Sequence, residues 1–253
     1  MTGSPAHQRA PSGLLAELTA DDDVLGALLV GSLARGTARP DSDLDVLVVG
    51  APAEDAPWRS APRDPPVDLL VRTADGWRAT FAPRRADDES WGYAFLDGVV
   101  LHDPSGVVSR LVFDAAEAHA RYRAPEHVRA HHAGFLRHVL PKARAVLRGG
   151  DPVEVGWAAA VLTDGLLRAA WAANDLPNPS LDLGTVRRHL DDLTEPAGAP
   201  DAVRALLRAS PAGSLRRQLD LAELLEPLLR APVERDARPA RSPGVGRAPG
   251  GTP

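Results

Sequence analysis

Asp43 and Asp45 stand two residues apart at the mouth of an apolar run, Val46-Leu47-Val48-Val49. Alternate residues of a strand project to the same face, so the two carboxylates sit side by side, roughly 7 Å apart along the backbone. Hard oxygen ligands at that spacing suit one or two divalent cations such as Mg2+. Leu44 and Val46 point the other way, toward a core. Upstream, Ala27-Leu28-Leu29-Val30 forms a second short apolar run, and it ends in Gly31-Ser32. Short apolar runs bounded by turn residues read as buried strands. Paired carboxylates facing a Gly-Ser turn are arranged to hold a metal-bound triphosphate. Asp45 adjoins an otherwise apolar strand, where a carboxylate without a ligand or partner is costly.

Strands must bring these residues together. Pro66-Val67-Asp68-Leu69-Leu70-Val71 reads as a further strand whose Asp68 faces the pair if the strand neighbours theirs. Leu14, Leu15 and Leu18 have helical spacing, so a short helix precedes the first strand. Val99 to Pro104 reads as another strand, closing on a Pro-Ser-Gly turn. No pattern emerges from Trp77 through Glu89. From Ala115 onward the periodicity is helical. A helix over Pro125 to Arg148 is expected to be interrupted near Pro141. Val153 to Ala173 has few polar residues on any side and is expected at the centre of a helical bundle. Val203 to Leu229 supplies one or two more helices. The expected organisation is a disordered N-terminus over 1–12, an α/β domain with a mixed sheet over 13–118, a helical domain over 119–232 and a disordered tail over 233–253.

Composition narrows the function classes. The chain has 253 residues, a net charge of −5 and no cysteine, which removes disulfides, thiol catalysis and zinc–thiolate sites together. All of the 29 basic residues except Lys142 are arginine. The acidic balance and the 4% aromatic content give little for tracking or stacking on nucleic acid. No segment approaches the ~20 apolar residues of a membrane span and no signal-peptide core opens the chain, so a cytoplasmic protein is expected.

Gly31-Ser32 followed a dozen residues later by Asp43-Leu44-Asp45, with Asp68 on a later strand, resembles the DNA polymerase beta superfamily of nucleotidyltransferases. The Leu-Ala-Arg-Gly after Gly-Ser looks like its smaller prokaryotic members. An α/β domain followed by helices is similar to bacterial small-molecule enzymes, including aminoglycoside and lincosamide adenylyltransferases. The resemblance implies transfer of a nucleoside monophosphate, AMP from ATP, to a hydroxyl of a small molecule such as an antibiotic, with Mg2+ as cofactor and two ions during turnover. Asp43 and Asp45 would ligate the metal that carries the triphosphate, and Asp68 would join them at a second metal. Gly31, Ser32 and Arg35 would contact phosphates, although Arg35 reads equally as a brace for its loop. Lys142, on the first long helix of the second domain, would add a basic nucleotide contact.

Spacing does not single out a general base among Asp87, Asp88, Glu89, Asp97 and Glu126, and a solvated surface charge is the ordinary reading of each. His127, His131, His132 and His138 lack a completing carboxylate and read as an ordinary helix face rather than a metal site. Asn174 to Pro179 reads as a helix stop. Two other functions stay open: an antitoxin-type enzyme that places nucleotides on a partner protein, and a nucleotide-binding module without catalysis. The large helical half counts against the first, and the intact aspartate set against the second. The Arg121…His127 spacing of a partner ribonuclease is present, but Pro125 interrupts it. Monomer and homodimer both remain open.

Overall fold

The computed structural model describes residues 13–179 and 182–231. The disordered ends expected over 1–12 and 233–253 lie outside the described residues. The chain divides into two compact units. Among the described residues, 13–81 and 94–121 form the first, and 82–93 with 122–179 and 182–231 form the second.

The first unit is built on a four-stranded mixed sheet in the order β3-β2-β1-β4. Strands β1 (Val24–Val30) and β2 (Leu44–Gly50) are antiparallel, with Val30 opposite Asp45. Strand β3 (Val67–Arg72) runs parallel to β2 and sets Asp68 directly opposite Asp45. Strand β4 (Val99–His102) closes the other edge, antiparallel to β1. The parallel β2–β3 pair needs a crossover, supplied by residues 51–66 with the short helix α3 (Pro57–Ser60).

Alternation along the strands explains the packing. Ala27, Leu29, Val46, Val48, Val67, Leu69 and Val71 form one apolar face, which packs on Leu14 and Leu18 of helix α1 (residues 13–19) and on Trp58. Asp45 and Asp68 are one position out of phase with that set, so they belong to the opposite face. Trp77 on helix α4 (Ala74–Arg78) donates from its indole N–H to the Val48 carbonyl at 3.0 Å. Its ring meets Phe95 edge to face at 5.6 Å, and Phe81 meets Phe95 at 5.0 Å. Helix α4 ends just inside the segment without a readable pattern, and α5 (Gly92–Asp97) follows that segment. Helix α6 (Val107–Arg121) begins before Ala115, where the periodicity first becomes clear, because Asp103 caps it. Its carboxylate accepts from the Val108 and Ser109 N–H groups and the Ser109 hydroxyl, bonds that outweigh burial and lower its pKa.

The second unit rests on three long helices that pack on one another: α7 (Glu126–Gly149), α8 (Pro152–Ala173) and α11 (Pro211–Arg230), with shorter α9 (Leu183–His189) and α10 (Ala199–Arg208). Two expectations are corrected here. Helix α7 runs through Pro141 without interruption. The proline is exposed, while Leu136, Leu140 and Ala143 stay buried on the inner face and hold the helix in place. Helix α8 is not enclosed on every side. Val155, Ala159, Leu162 and Leu166 are buried, whereas Val153 and Trp157 are 80% and 74% exposed. Apolar residues all round a helix do not by themselves bury it. The region Val203 to Leu229 resolves into two helices, and α9 has too few turns to give a periodic signal.

Candidate active site

The site forms where β1 ends and β2 and β3 begin. Parallel pairing places the N-terminal ends of β2 and β3 together, and the antiparallel β1 delivers Gly31 to the same end. The Leu44 N–H donates to the Pro66 carbonyl at 2.9 Å, which locks the two strand starts in register. That bond fixes Asp43 and Asp45 against Asp68. One carboxylate oxygen from each of the three lies within 4.8 Å of the others. Asp43 and Asp68 are exposed and Asp45 is half-buried.

Like charges this close repel, and a divalent cation between them removes the repulsion while using oxygens as ligands. The donor set fits such an ion. A second observation fits as well: Gly31 has no side chain on the side facing Asp45, and a Cβ there would fall 1.9 Å from the Asp45 Oδ2. The carboxylate thus occupies space that any other residue would fill. Among the described residues, this is the one group of three or more acidic or histidine side chains close enough to hold a metal.

Gly31 begins the four-residue helix α2 (Gly31–Ala34) with a φ of 68°, and no side chain caps it. The Arg35 N–H returns to the Gly31 carbonyl at 3.2 Å, and the Thr37 N–H to the Ser32 carbonyl at 2.9 Å. Arg35 is the C-cap of α2. Downstream, the Arg39 N–H donates to the Ser42 Oγ at 2.9 Å and the Ser42 N–H to the Arg39 carbonyl at 3.1 Å, a compact turn leading into Asp43. The turn and the aspartates are thus held by backbone bonds on either side of the site.

The other candidate residues stand on other elements. Lys142 belongs to the second unit, exposed on α7, with its Nζ 2.8 Å from His138 Nε2. Asp87, Asp88 and Glu89 also belong to that unit, where they serve its packing. The Asp87 carbonyl accepts from Arg168, the Asp88 carbonyl from Asn178, and Glu89 pairs with Arg168 at 3.5 Å. Asp97 ends α5 and is buried, and Glu126 opens α7. His127 meets the Arg84 carbonyl at 2.7 Å, and His131 packs on His132 with ring centroids 5.3 Å apart. Between Arg121 and His127 the chain leaves α6 and enters α7, so the two residues share no helix.

Residues 12–90 match the family model described as a nucleotidyltransferase domain. The match spans the Gly31 turn and all three aspartates. The chain therefore carries a nucleotidyltransferase domain and is a transferase, with a nucleoside triphosphate as the implied substrate. Among solved structures, it is similar to a nucleotidyltransferase-like protein from Exiguobacterium sibiricum 255-15, with 12% identity over 87% of this chain and 74% of that one and a TM-score of 0.38. No curated protein matches the sequence. No helix among the described residues is long and apolar enough to cross a membrane.

Proposed function

We propose that the protein moves a nucleoside monophosphate, AMP from ATP, onto a hydroxyl of a small molecule, with an antibiotic-like polyol as the acceptor class. The carrying observation is the convergence of Asp43, Asp45 and Asp68 beside a glycine turn within a nucleotidyltransferase domain. In the reaction, the acceptor oxygen bonds to the alpha phosphorus and the bond from that phosphorus to the bridging oxygen breaks. Pyrophosphate leaves with the electron pair, and the hydroxyl proton passes to solvent.

Asp43 and Asp45 would hold a divalent cation with the triphosphate, and Asp68 would share a second with them, Mg2+ in both places. Bound there, the metal supplies charge neutralisation at the phosphates and a lowered pKa for the attacking hydroxyl. The protein's own part is to orient. Register bonds at the strand starts hold the carboxylates, and the turn after Gly31 would offer Ser32, backbone N–H groups and Arg35 to the phosphates. Purified protein incubated with each NTP, Mg2+ and a panel of aminoglycosides, lincosamides and nucleosides is the test. One acceptor should gain the mass of a nucleoside monophosphate, with ATP the preferred donor. Mass gain on a co-purified protein, with every small molecule unchanged, would overturn the acceptor class in favour of protein modification.

A further inference from the structure

Gly31 is placed to do more than turn the chain. Val30 pairs with Asp45 across the β1–β2 ladder, so the next residue passes in front of the Asp45 side chain as the chain leaves the strand. A methyl group at Gly31 would lie 1.9 Å from Asp45 Oδ2, 2.8 Å from its carboxyl carbon and 3.2 Å from its Cβ. Real Cβ atoms essentially never come within 3.0 Å of a non-bonded heavy atom, so the first two distances require a shift. The left-handed φ of 68° is a separate demand, and Asn or Asp can meet it at modest cost. Any side chain at this position would force the Asp45 carboxylate to move.

We infer that Gly31 is a positioning residue for Asp45: its bare Cα is the seat that fixes the direction of that carboxylate toward Asp43 and Asp68. This rests on the metal-binding reading of the three aspartates. A carboxylate confined on one side by backbone has fewer rotamers to lose when it takes up a cation. Filling the seat would swing Asp45 out of the group. Other glycines of the sheet do not share this role. At Gly26, for example, an added methyl would press on Val108 Cγ2 at 2.4 Å and on the His102 carbonyl oxygen at 2.9 Å, neither of them among the three aspartates.

Two measurements on the full chain test it: Mn2+ affinity by electron paramagnetic resonance, and thermal melting. The proteins are wild type, Gly31→Ala, Asp45→Ala, the double variant Gly31→Ala/Asp45→Ala, and Gly26→Ala as the control. Gly31→Ala should weaken Mn2+ binding at least tenfold. Gly26→Ala should lower the melting midpoint yet leave Mn2+ affinity within twofold. The fall in midpoint caused by Gly31→Ala should be much smaller in the Asp45→Ala background, because the obstructing carboxylate is gone. An equal fall in both backgrounds would overturn the seat, as would unchanged Mn2+ affinity in Gly31→Ala. Should Gly31→Ala fail to fold, folding of the double variant supports the inference and failure of both overturns it. Absence of Mn2+ binding in the wild type would remove the metal reading, while the melting comparison would still decide the steric claim.

Discussion

Asn174 and Asp68 are both short polar side chains, one in the helical unit and one in the sheet unit. Asn174 is fully buried at the end of α8, and its amide is engaged throughout. The Nδ2 group donates to the Ala170 and Glu195 carbonyls, and Oδ1 accepts from the Thr194 and Glu195 N–H groups. Arg129 behaves alike, donating to the Ala172 and Leu228 carbonyls. Gln218 is engaged on its donor side only: Nε2 donates to the Ala159 carbonyl and the Thr163 hydroxyl, while its buried Oε1 accepts no hydrogen bond. Asp68 is exposed, and it converges with Asp43 and Asp45 on a common point. In the helical unit polar groups complete the fold. In the sheet unit the fold brings together groups that repel one another, which is the arrangement expected of a site kept at some expense of stability.

The sharpest way to break this contrast is to remove one group of each kind. Asp43→Asn or Asp68→Asn should lower nucleotidyl transfer by about a thousandfold, the scale of a lost metal contact. Neither should lower the melting midpoint of the metal-free protein, since a repulsive charge is removed. A large loss of stability in either variant would place these residues with the structural polar groups. Asn174→Ala should do the reverse, costing about 3 kcal/mol in denaturant titration by leaving several buried backbone groups without partners.

His132 gives an intermediate effect. Its ring is 3% exposed, and burial, aided by His131 and Arg168, holds its pKa down to about 4 against an ordinary 6.5, with Asp87 and Asp164 opposing. The unfolded chain binds the proton more readily, so stability is full above pH 6.5 and falls as pH drops toward 4. The loss should reach about 3 kcal/mol. His132→Gln should flatten the slope of stability against pH between those values, and an unchanged slope would show that the ring does not titrate as described. The smallest effect belongs to the exposed Arg144–Glu223 pair between α7 and α11. A double-mutant cycle there should give ~0.5 kcal/mol or less, diminished further by salt.

The sheet and its aspartates were legible because they rest on local signals: apolar runs of strand length, glycine and proline at their ends, and a two-residue spacing that puts Asp43 and Asp45 on one face. Asp68 could be expected from its apolar flanks, but its register opposite Asp45 is a property of strand pairing. Pro141 misled because the cost of a proline in a helix is a local figure, whereas α7 draws its stability from burying Leu136 and Leu140. The exposure of Trp157 was hidden for a related reason: periodicity shows which residues share a face, and only packing shows whether that face is covered. The segment Arg84 to Glu89 gave no pattern because its structural work is done largely by backbone carbonyls, which a sequence does not display. The steric role of Gly31 was invisible beside the familiar role of glycine in turns.

Pyrophosphate release from ATP in the presence of an accepted hydroxyl substrate, followed with and without Mg2+ in the wild type and in Asp45→Asn, tests the central claim most directly. The account predicts release that requires both the metal and the Asp45 carboxylate. Equal release by Asp45→Asn at saturating Mg2+ would contradict it.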